Sequence, residues 1–537
     1  MYIAGSRHPP AISPRLPVAC HAGATVFSFR LPISCPECKT RASIARPILS
    51  RGHAVRFRFV PALPLLLAAQ LLPFATPAKA APQAGRTCHL PGAQEALRCL
   101  TVQVPLDYGK PGKTISIHAT VAPAWREAAR PDPLFVLAGG PGQAGSDILP
   151  IVQAAMRRVR ATRDIVLIDQ RGTGLSGKLD CKSPPEIDTM TEEQLDADAQ
   201  RCIESLAARQ GTGYGHYTTD AAARDIERVR LALGYGQVNL WGGSYGTRLA
   251  QHYTRLYPSA VRALVLDGVA APDQVIPAGG RDAQAALETT FRQCEKEAAC
   301  ARAFPALRDE FKALASKLGK GPVTLDMADP RTAAVRPVTI SLRRFIATVH
   351  RVLYAQADAR ALPFLIHSAY RGRWEPFVAR SNRDSDFSAD GAMAGPLYLA
   401  VVCAEDFPRL SPQLVAEDTR DSFLGAPQVT QLAKLCPIVG VKPVAYAAPA
   451  RIDAPALLLS GAQDPVTPPR RAEAAARLMK SAQHLVVKNG GHIVSPLGCV
   501  PRLMREFLDR PDARVDAACL EEIPAPTFQL NSAGPQP

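Results

Sequence analysis

The residues Trp241-Gly242-Gly243-Ser244-Tyr245-Gly246-Thr247 place a serine between glycines two positions to either side. A short apolar run, Val238-Asn239-Leu240, precedes them, and a helix-like stretch over 248–257 follows. A serine at the apex of such a strand–turn–helix is presented as a nucleophile, because the turn tolerates only small residues two before and two after it. Alone, the string is a weak signal, since it arises by chance in roughly one chain in several of this length. Its strength comes from what lies downstream. Serine needs a base to take its proton, and the base needs an acid to fix its tautomer. Asp464 follows the apolar run 456–459, in Gln463-Asp464-Pro465-Val466-Thr467, and His492 follows Leu485-Val486-Val487, in Asn489-Gly490-Gly491-His492. Both fall just past strand C-terminal ends, where open α/β sheets place their sites. Asp267, which ends Leu264-Val265-Leu266-Asp267, is the rival acid.

A tetrahedral intermediate needs N–H donors waiting for its oxyanion. The backbone N–H of Tyr245, directly after the serine, is one candidate. The other is the N–H of Gly140 in Gly139-Gly140-Pro141-Gly142, on the loop after Leu134-Phe135-Val136-Leu137. No Gly-Lys-Ser/Thr follows that run, which argues against a phosphate cradle. The segment Asp169-Gln170-Arg171-Gly172-Thr173-Gly174-Leu175-Ser176 is expected to brace this loop rather than to touch substrate. The chemistry calls for no cofactor and no metal.

The elements that must hold these residues are legible as apolar runs. Those at 134–137, 165–168, 238–241, 263–266, 456–459 and 485–487 alternate with helical or loop segments. Such runs indicate strands buried on both faces of a mostly parallel sheet. Two alternating stretches, 100–106 and 114–121, read as an antiparallel hairpin at its edge. A helix is expected over 220–233, with Ile226, Val229 and Leu233 on one face and Gly234 as its stop. The rhythm breaks between about 271 and 450, where helices are expected over 285–296, 305–318 and 342–356, with Pro305 at a first helical position. An insertion of that size, before the strand rhythm resumes at 451, reads as a cap. The expected organisation is 1–80 extension and export signal, 81–270 core, 271–450 helical cap, 451–537 core.

The chain has 537 residues and a formal net charge of +15. Residues 1–80 hold ten Lys/Arg against the single acid Glu37, so nine of those charges lie there and six in the remainder. Without a basic stripe interleaved with aromatics, nucleic-acid binding is not expected. Arg56-Phe57-Arg58, the apolar stretch 60–77 and Ala78-Lys79-Ala80 read as an export signal cleaved after Ala80. Four prolines and a short continuous apolar run argue against a membrane anchor. The odd 54 residues before it suggest a true start at Val55. Cys35 and Cys38 have no second pair to complete a zinc site. Ten cysteines follow the signal, an even number that points to disulfides. Sequence does not fix their pairing; sequential pairs (88–99, 181–202, 294–300, 403–436, 499–519) would each close a short loop.

Gly-Gly-Pro-Gly, Asp-Gln-Arg-Gly-x-Gly-x-Ser, Gly-Gly-Ser-Tyr-Gly, the later Asp and Gly-Gly-His together resemble the proline iminopeptidase and tripeptidyl aminopeptidase branch of the α/β-hydrolases. The likeness runs over 88–519. It implies an α/β-hydrolase fold, a mostly parallel central sheet with helices on both faces and a large helical cap insertion. It implies a serine exopeptidase taking short peptides with free N-termini. Proline iminopeptidases usually carry His before Gly-Gly-Pro-Gly; Ala138 stands there, as small or polar residues do in the tripeptidyl branch, so single-proline specificity does not carry over. An aminopeptidase must hold a protonated amine. Val402-Cys403-Ala404-Glu405-Asp406 resembles the family's acidic segment, with Glu405 the first candidate anchor and Asp406 the second, against a plain acidic loop pinned by a Cys403–Cys436 bridge. A carboxylesterase or amidase on the same triad is the alternative within enzymes. A non-catalytic binder on the same scaffold is the alternative outside them.

Overall fold

The computed structural model describes residues 83–535, apart from 84, 111, 183, 185, 329–332 and 382–392. The expected export signal, the alternative start at Val55 and the Cys35/Cys38 pair lie outside them. Strands form at β1 (Arg86–Cys88), β2 (Leu97–Pro105), β3 (Thr114–Ala122), β4 (Leu134–Leu137), β5 (Ile165–Ile168), β6 (Val238–Gly243), β7 (Val261–Asp267), β8 (Val323–Ala328), β9 (Val335–Ile340), β10 (Ala456–Gly461) and β11 (Ala482–Val487). Among the described residues, nine of them make one sheet in the order β1-β2-β3-β5-β4-β6-β7-β10-β11. The β1–β2, β2–β3 and β3–β5 pairs are antiparallel. From β5 across to β11 every pairing is parallel.

Alternation along the parallel strands sends side chains to opposite faces. Phe135, Leu137, Val166, Ile168, Leu240, Leu264 and Leu266 pack on helices Thr219–Ala232 and Tyr245–Leu256. Leu134, Val136, Ile165, Leu167, Val265, Leu457 and Leu459 pack on helices Leu149–Ala155 and Val500–Asp509. This two-sided burial is why these strands read as unbroken apolar runs. Each buried Leu, Ile, Val or Phe contributes about 1.5–3 kcal/mol. The helix expected over 220–233 spans Thr219–Ala232, and the Thr218 hydroxyl caps it by accepting the Ala221 N–H.

Between β7 and β10 lie helices with their own aromatic core, in which Phe345 and Phe377 stack at 5.2 Å between ring centroids. Three details differ from the sequence reading. The expected helix at 305–318 begins at Leu307, so Pro305 precedes it instead of opening it. The expected helix at 342–356 ends at Val352 and resumes at Gln356–Ala359, which leaves Tyr354 in a turn. An antiparallel hairpin, β8–β9, sits in a segment read as helical. The five disulfides are the sequential pairs. Each restricts the unfolded chain by about 2–3 kcal/mol. No helix of the described residues is long and apolar enough to cross a membrane.

Candidate active site

β6 ends at Gly243 and a helix begins at Tyr245, so Ser244 turns the chain alone. It does so at φ 55° and ψ −125°, a conformation that costs a non-glycine residue about 1–3 kcal/mol. The flanking glycines make the turn feasible. A Cβ on Gly246 would stand 2.1 Å from the Leu137 carbonyl oxygen, and one on Gly242 would stand 2.5 Å from the Gly246 oxygen. The Ser244 N–H donates to the Asp267 carbonyl at 2.9 Å, which ties the strained residue to the end of β7.

His492 and Asp464 meet on the loops after β11 and β10. His492 Nδ1 lies 2.8 Å from Asp464 Oδ2. The Thr467 hydroxyl donates to the same Oδ2 at 2.7 Å and stands 3.1 Å from Nδ1. Asp464 Oδ1 accepts the N–H groups of Val466 and Thr467 at 2.8 and 2.9 Å. Burial opposes ionisation of this carboxyl, but His492 and these hydrogen bonds outweigh it and hold Asp464 below the ordinary range. Burial likewise opposes a charged His492, yet Asp464 prevails and raises the imidazole above its ordinary value. With Nδ1 held by a carboxylate, Nε2 is the nitrogen left to take a proton. A Cβ on Gly268, next to Asp267, would stand 2.9 Å from His492 Cε1. Ser244 and His492 therefore flank the same two residues.

Asp267, the rival acid, does something else. Its carboxylate accepts the Val494 N–H at 3.0 Å, the Ser495 N–H at 2.7 Å and the Ser495 hydroxyl at 2.5 Å. It is fully buried, and burial pushes its carboxyl up despite those bonds. Asp267 thus anchors the loop that carries His492, while Nδ1 of that histidine faces Asp464.

A Cβ on Gly139 would stand 3.0 Å from Ser244 Cβ and 3.5 Å from its Oγ, so the Gly139–Gly142 loop lies against the nucleophile. The Gly139 carbonyl accepts the Gln143 N–H at 3.2 Å, which turns the Gly140 N–H of the same trans peptide the opposite way. The Tyr245 N–H belongs to a first helical turn, whose donors have no partner within the helix. The 169–176 segment braces this loop: Gln170 Nε2 donates to the Ala138 carbonyl at 3.0 Å. Asp169 accepts the Ser146 N–H, the Ser146 hydroxyl and the Leu175 N–H. Arg171 turns away to a buried bidentate pair with Asp225 at 2.7 Å.

The two candidate amine anchors separate. Asp406 is fully buried and forms a salt bridge with Arg248 at 2.9 Å, while also accepting the Ile276 N–H. Its carboxylate is already occupied by a cation of the helix that follows Ser244, so Asp406 is withdrawn as an anchor. Glu405 is partly buried, and both its oxygens accept from Thr219, at 2.7 Å from the N–H and 2.6 Å from the hydroxyl. Thr219 Oγ1 in turn lies 2.8 Å from the Tyr245 hydroxyl. Burial lifts the Glu405 carboxyl above the ordinary range against the pull of Thr219 and Arg248.

Sequence reasoning missed Thr467, which lies in the Asp-Pro-Val-Thr string beside Asp464. It also missed Tyr354, whose carbonyl accepts the His492 N–H at 2.6 Å and whose ring meets the imidazole edge-to-face at 5.2 Å. No pattern marks a contact made by a backbone carbonyl.

Two family models match the chain, one described as alpha/beta hydrolase fold over residues 132–301 and one as TAP-like protein over 421–519. The tripeptidyl aminopeptidase of Streptomyces lividans is 33% identical over 194 residues, 33% of this chain and 36% of that protein. Serine protease Hip1 of Mycobacterium tuberculosis is 30% identical over 225 residues, 38% of this chain and 42% of that protein. Carboxylesterase B of the same organism is 29% identical over 227 residues, again 38% and 42%. The matched part of the chain spans roughly a third of the length of the first of these relatives. The two models fall on the segments that carry Ser244 and the Asp464 and His492 loops, so the chain has the α/β-hydrolase fold and is similar, over these segments, to TAP-like proteins and to the tripeptidyl aminopeptidase.

Proposed function

We propose that this protein is an exported serine aminopeptidase that removes short peptides from free N-termini through an acyl-enzyme on Ser244. The observation that carries the reading is the His492–Asp464 pair beside a serine held at positive φ. In this mechanism His492 Nε2 takes the Ser244 proton as Oγ attacks the scissile carbonyl. Asp464 stabilises the imidazolium that forms. The N–H groups of Tyr245 and Gly140 receive the oxyanion. The imidazolium then protonates the departing amine, and a water activated by the same histidine releases the acyl peptide. The relatives named tripeptidyl aminopeptidase and serine protease favour a peptide substrate.

An exopeptidase must fix the substrate's ammonium group, and Glu405 is the carboxylate assigned to that task. Residues 271–450 act as the cap that limits access to short chains. Five disulfides suit an oxidising compartment, in keeping with export. The second reading, a carboxylesterase, draws on the relative named Carboxylesterase B.

The test compares a chromogenic Ala-Pro-Ala amide bearing a free amine with its N-acetylated twin, with Ser244→Ala as the blank. Cleavage of the free form alone is expected. Equal rates on both, or turnover of simple esters only, would replace the aminopeptidase by the esterase.

A further inference from the structure

Met393 and Ala394 lie against the loop that is assigned to the oxyanion. Met393 pairs with Gln143 in an antiparallel bridge, and the Ala394 N–H donates to the Gly142 carbonyl at 2.9 Å. Ala394 is fully buried, as are Leu397 and Val401 on the helix that follows, Gly395–Glu405. Met393 is the exception, with 43% of its surface exposed. Its terminal methyl nevertheless stands 2.9 Å from where a Cβ on Gly140 would be, in contact with the bare backbone of that glycine. The next residue back, Gly139, touches Ser244. A single exposed apolar side chain needs no explanation. This one is held by backbone pairing onto the loop beside the nucleophile.

We propose that Met393 is a specificity-determining residue, forming a wall of the pocket that takes the side chain of the acyl residue, the one whose carbonyl Ser244 attacks. The proposal rests on acyl-enzyme chemistry at Ser244. An acyl oxygen bound by the Gly140 N–H sits about 3 Å from that nitrogen. The acyl side chain, which begins three bonds from that oxygen, then extends along the face of the loop that the methionine covers. An unbranched thioether adapts to straight, branched and aromatic apolar groups and offers nothing to a charge. The pocket therefore selects apolar acyl residues such as Leu, Met or Phe over Glu or Lys.

The test uses free-amine tripeptide p-nitroanilides that differ only in the third residue (Ala, Leu, Phe, Glu, Lys), on the wild-type chain, Met393→Leu and Met393→Glu. Titration with a phosphonate counts reactive Ser244 in each. The wild type is expected to prefer Leu and Phe over Glu and Lys in kcat/KM by about tenfold or more, and Met393→Leu to keep that order. Met393→Glu is expected to shift the Lys-to-Leu ratio by about tenfold toward Lys, each rate being taken per titrated Ser244. Ratios unchanged within about twofold in Met393→Glu would overturn the proposal. If the wild type cleaves esters but no peptide, only the aminopeptidase reading falls. Met393→Glu must then lower p-nitrophenyl hexanoate turnover relative to acetate by about tenfold, and an unchanged ratio overturns the proposal there. A wild-type chain inert to phosphonate and to every substrate removes the acyl-enzyme and the pocket together.

Discussion

Replacing each of the two buried acids by asparagine separates the one that works on the histidine from the one that holds its loop. At Asp464 the geometry dictates how an amide sits. Oδ1 accepts two backbone N–H groups, from Val466 and Thr467, so the amide oxygen must stay there. The NH2 then takes the place of Oδ2, 2.8 Å from His492 Nδ1. A donor at that position forces Nδ1 to become an acceptor and moves the proton to Nε2, where the imidazole can no longer serve as base. The analogous wrong-tautomer change in serine proteases lowers kcat by about 10⁴-fold, which is the loss expected here. At Asp267 an amide oxygen in the place of Oδ2 can keep the Ser495 N–H and hydroxyl and one arm of the forked Val494 N–H, but the NH2 in the place of Oδ1 then stands 3.0 Å from that same N–H, donor against donor. Losing a charged acceptor in that buried setting costs about 2–4 kcal/mol of stability. For a unit of about 450 residues, with an unfolding entropy near ~0.9 kcal/mol/K, that lowers Tm by about 2–4 °C. Displacement of the histidine loop by about 1 Å costs kcat no more than about 10²-fold. Thermal unfolding, phosphonate titration and kcat on the free-amine amide read the two variants side by side. A 10⁴-fold loss in Asp267→Asn with a mild Asp464→Asn would reverse the assignment of the acids and refute the reasoning from Nδ1.

Because Asp464 raises the His492 imidazole, kcat/KM should climb with pH to a half-maximum above about 6.5, and the acid limb should move down in Asp464→Asn. The sign for stability is opposite. The pair's contribution through His492 is complete below about pH 6.5 and is lost as pH rises through the raised value. Through Asp464 it is present above about pH 3.9 and lost as pH falls through the lowered value, so the Tm difference between wild type and Asp464→Asn should peak in mildly acidic buffer. Glu405→Gln keeps the Thr219 hydrogen bonds within reach and removes the charge. Its KM for free-amine peptides should rise about 10–100-fold while N-acetylated or ester substrates change less than about twofold, and an equal effect on both classes would dismiss the amine anchor. Gly268→Ala introduces a methyl 2.9 Å from His492 Cε1 and 3.2 Å from Thr467 Oγ1. Steady-state kinetics should show kcat reduced about 10²-fold at near-normal KM, and wild-type kcat would mean that the imbalance is absorbed without moving the imidazole.

The parts of this fold that were legible share one property, that the determinant is local. β4 and β5 match the runs at 134–137 and 165–168 to the residue, because four consecutive buried side chains leave no other pattern. β1 is three residues with two exposed, and carries no alternation to read. β8 does alternate, part-buried against exposed, but it lies among helices, whose longer pattern masks six residues of strand. The serine and its partners could be ordered because each follows a strand. The separation of Glu405 from Asp406 could not, because it depends on Arg248, 158 positions earlier, arriving at the end of the 395–405 helix. Burial decides which of two adjacent acids meets that cation, and burial belongs to the assembled chain.

The long-range contacts also explain why the insertion between β7 and β10 is more than a cover. It meets the candidate machinery at several points, among them Tyr354 on the backbone and ring of His492, Met393 and Ala394 on the Gly139–Gly142 loop, and Asp406 on Arg248 of the helix that starts after Ser244. The sheet alone fixes Ser244 through Asp267, and fixes the loop after β11 through the carboxylate of the same residue. Asp267 thus ties Ser244 and the His492 loop together from inside the core, and the insertion meets His492 and the Gly139–Gly142 loop from outside it. A buried acid that costs free energy to ionise is kept at the end of β7 because one side chain and its own carbonyl can hold both loops at once. A shift of the insertion would accordingly be felt at His492 and at the Gly139–Gly142 loop together, whereas the Ser244 turn, anchored to β7 and to its two glycines, would stay where it is.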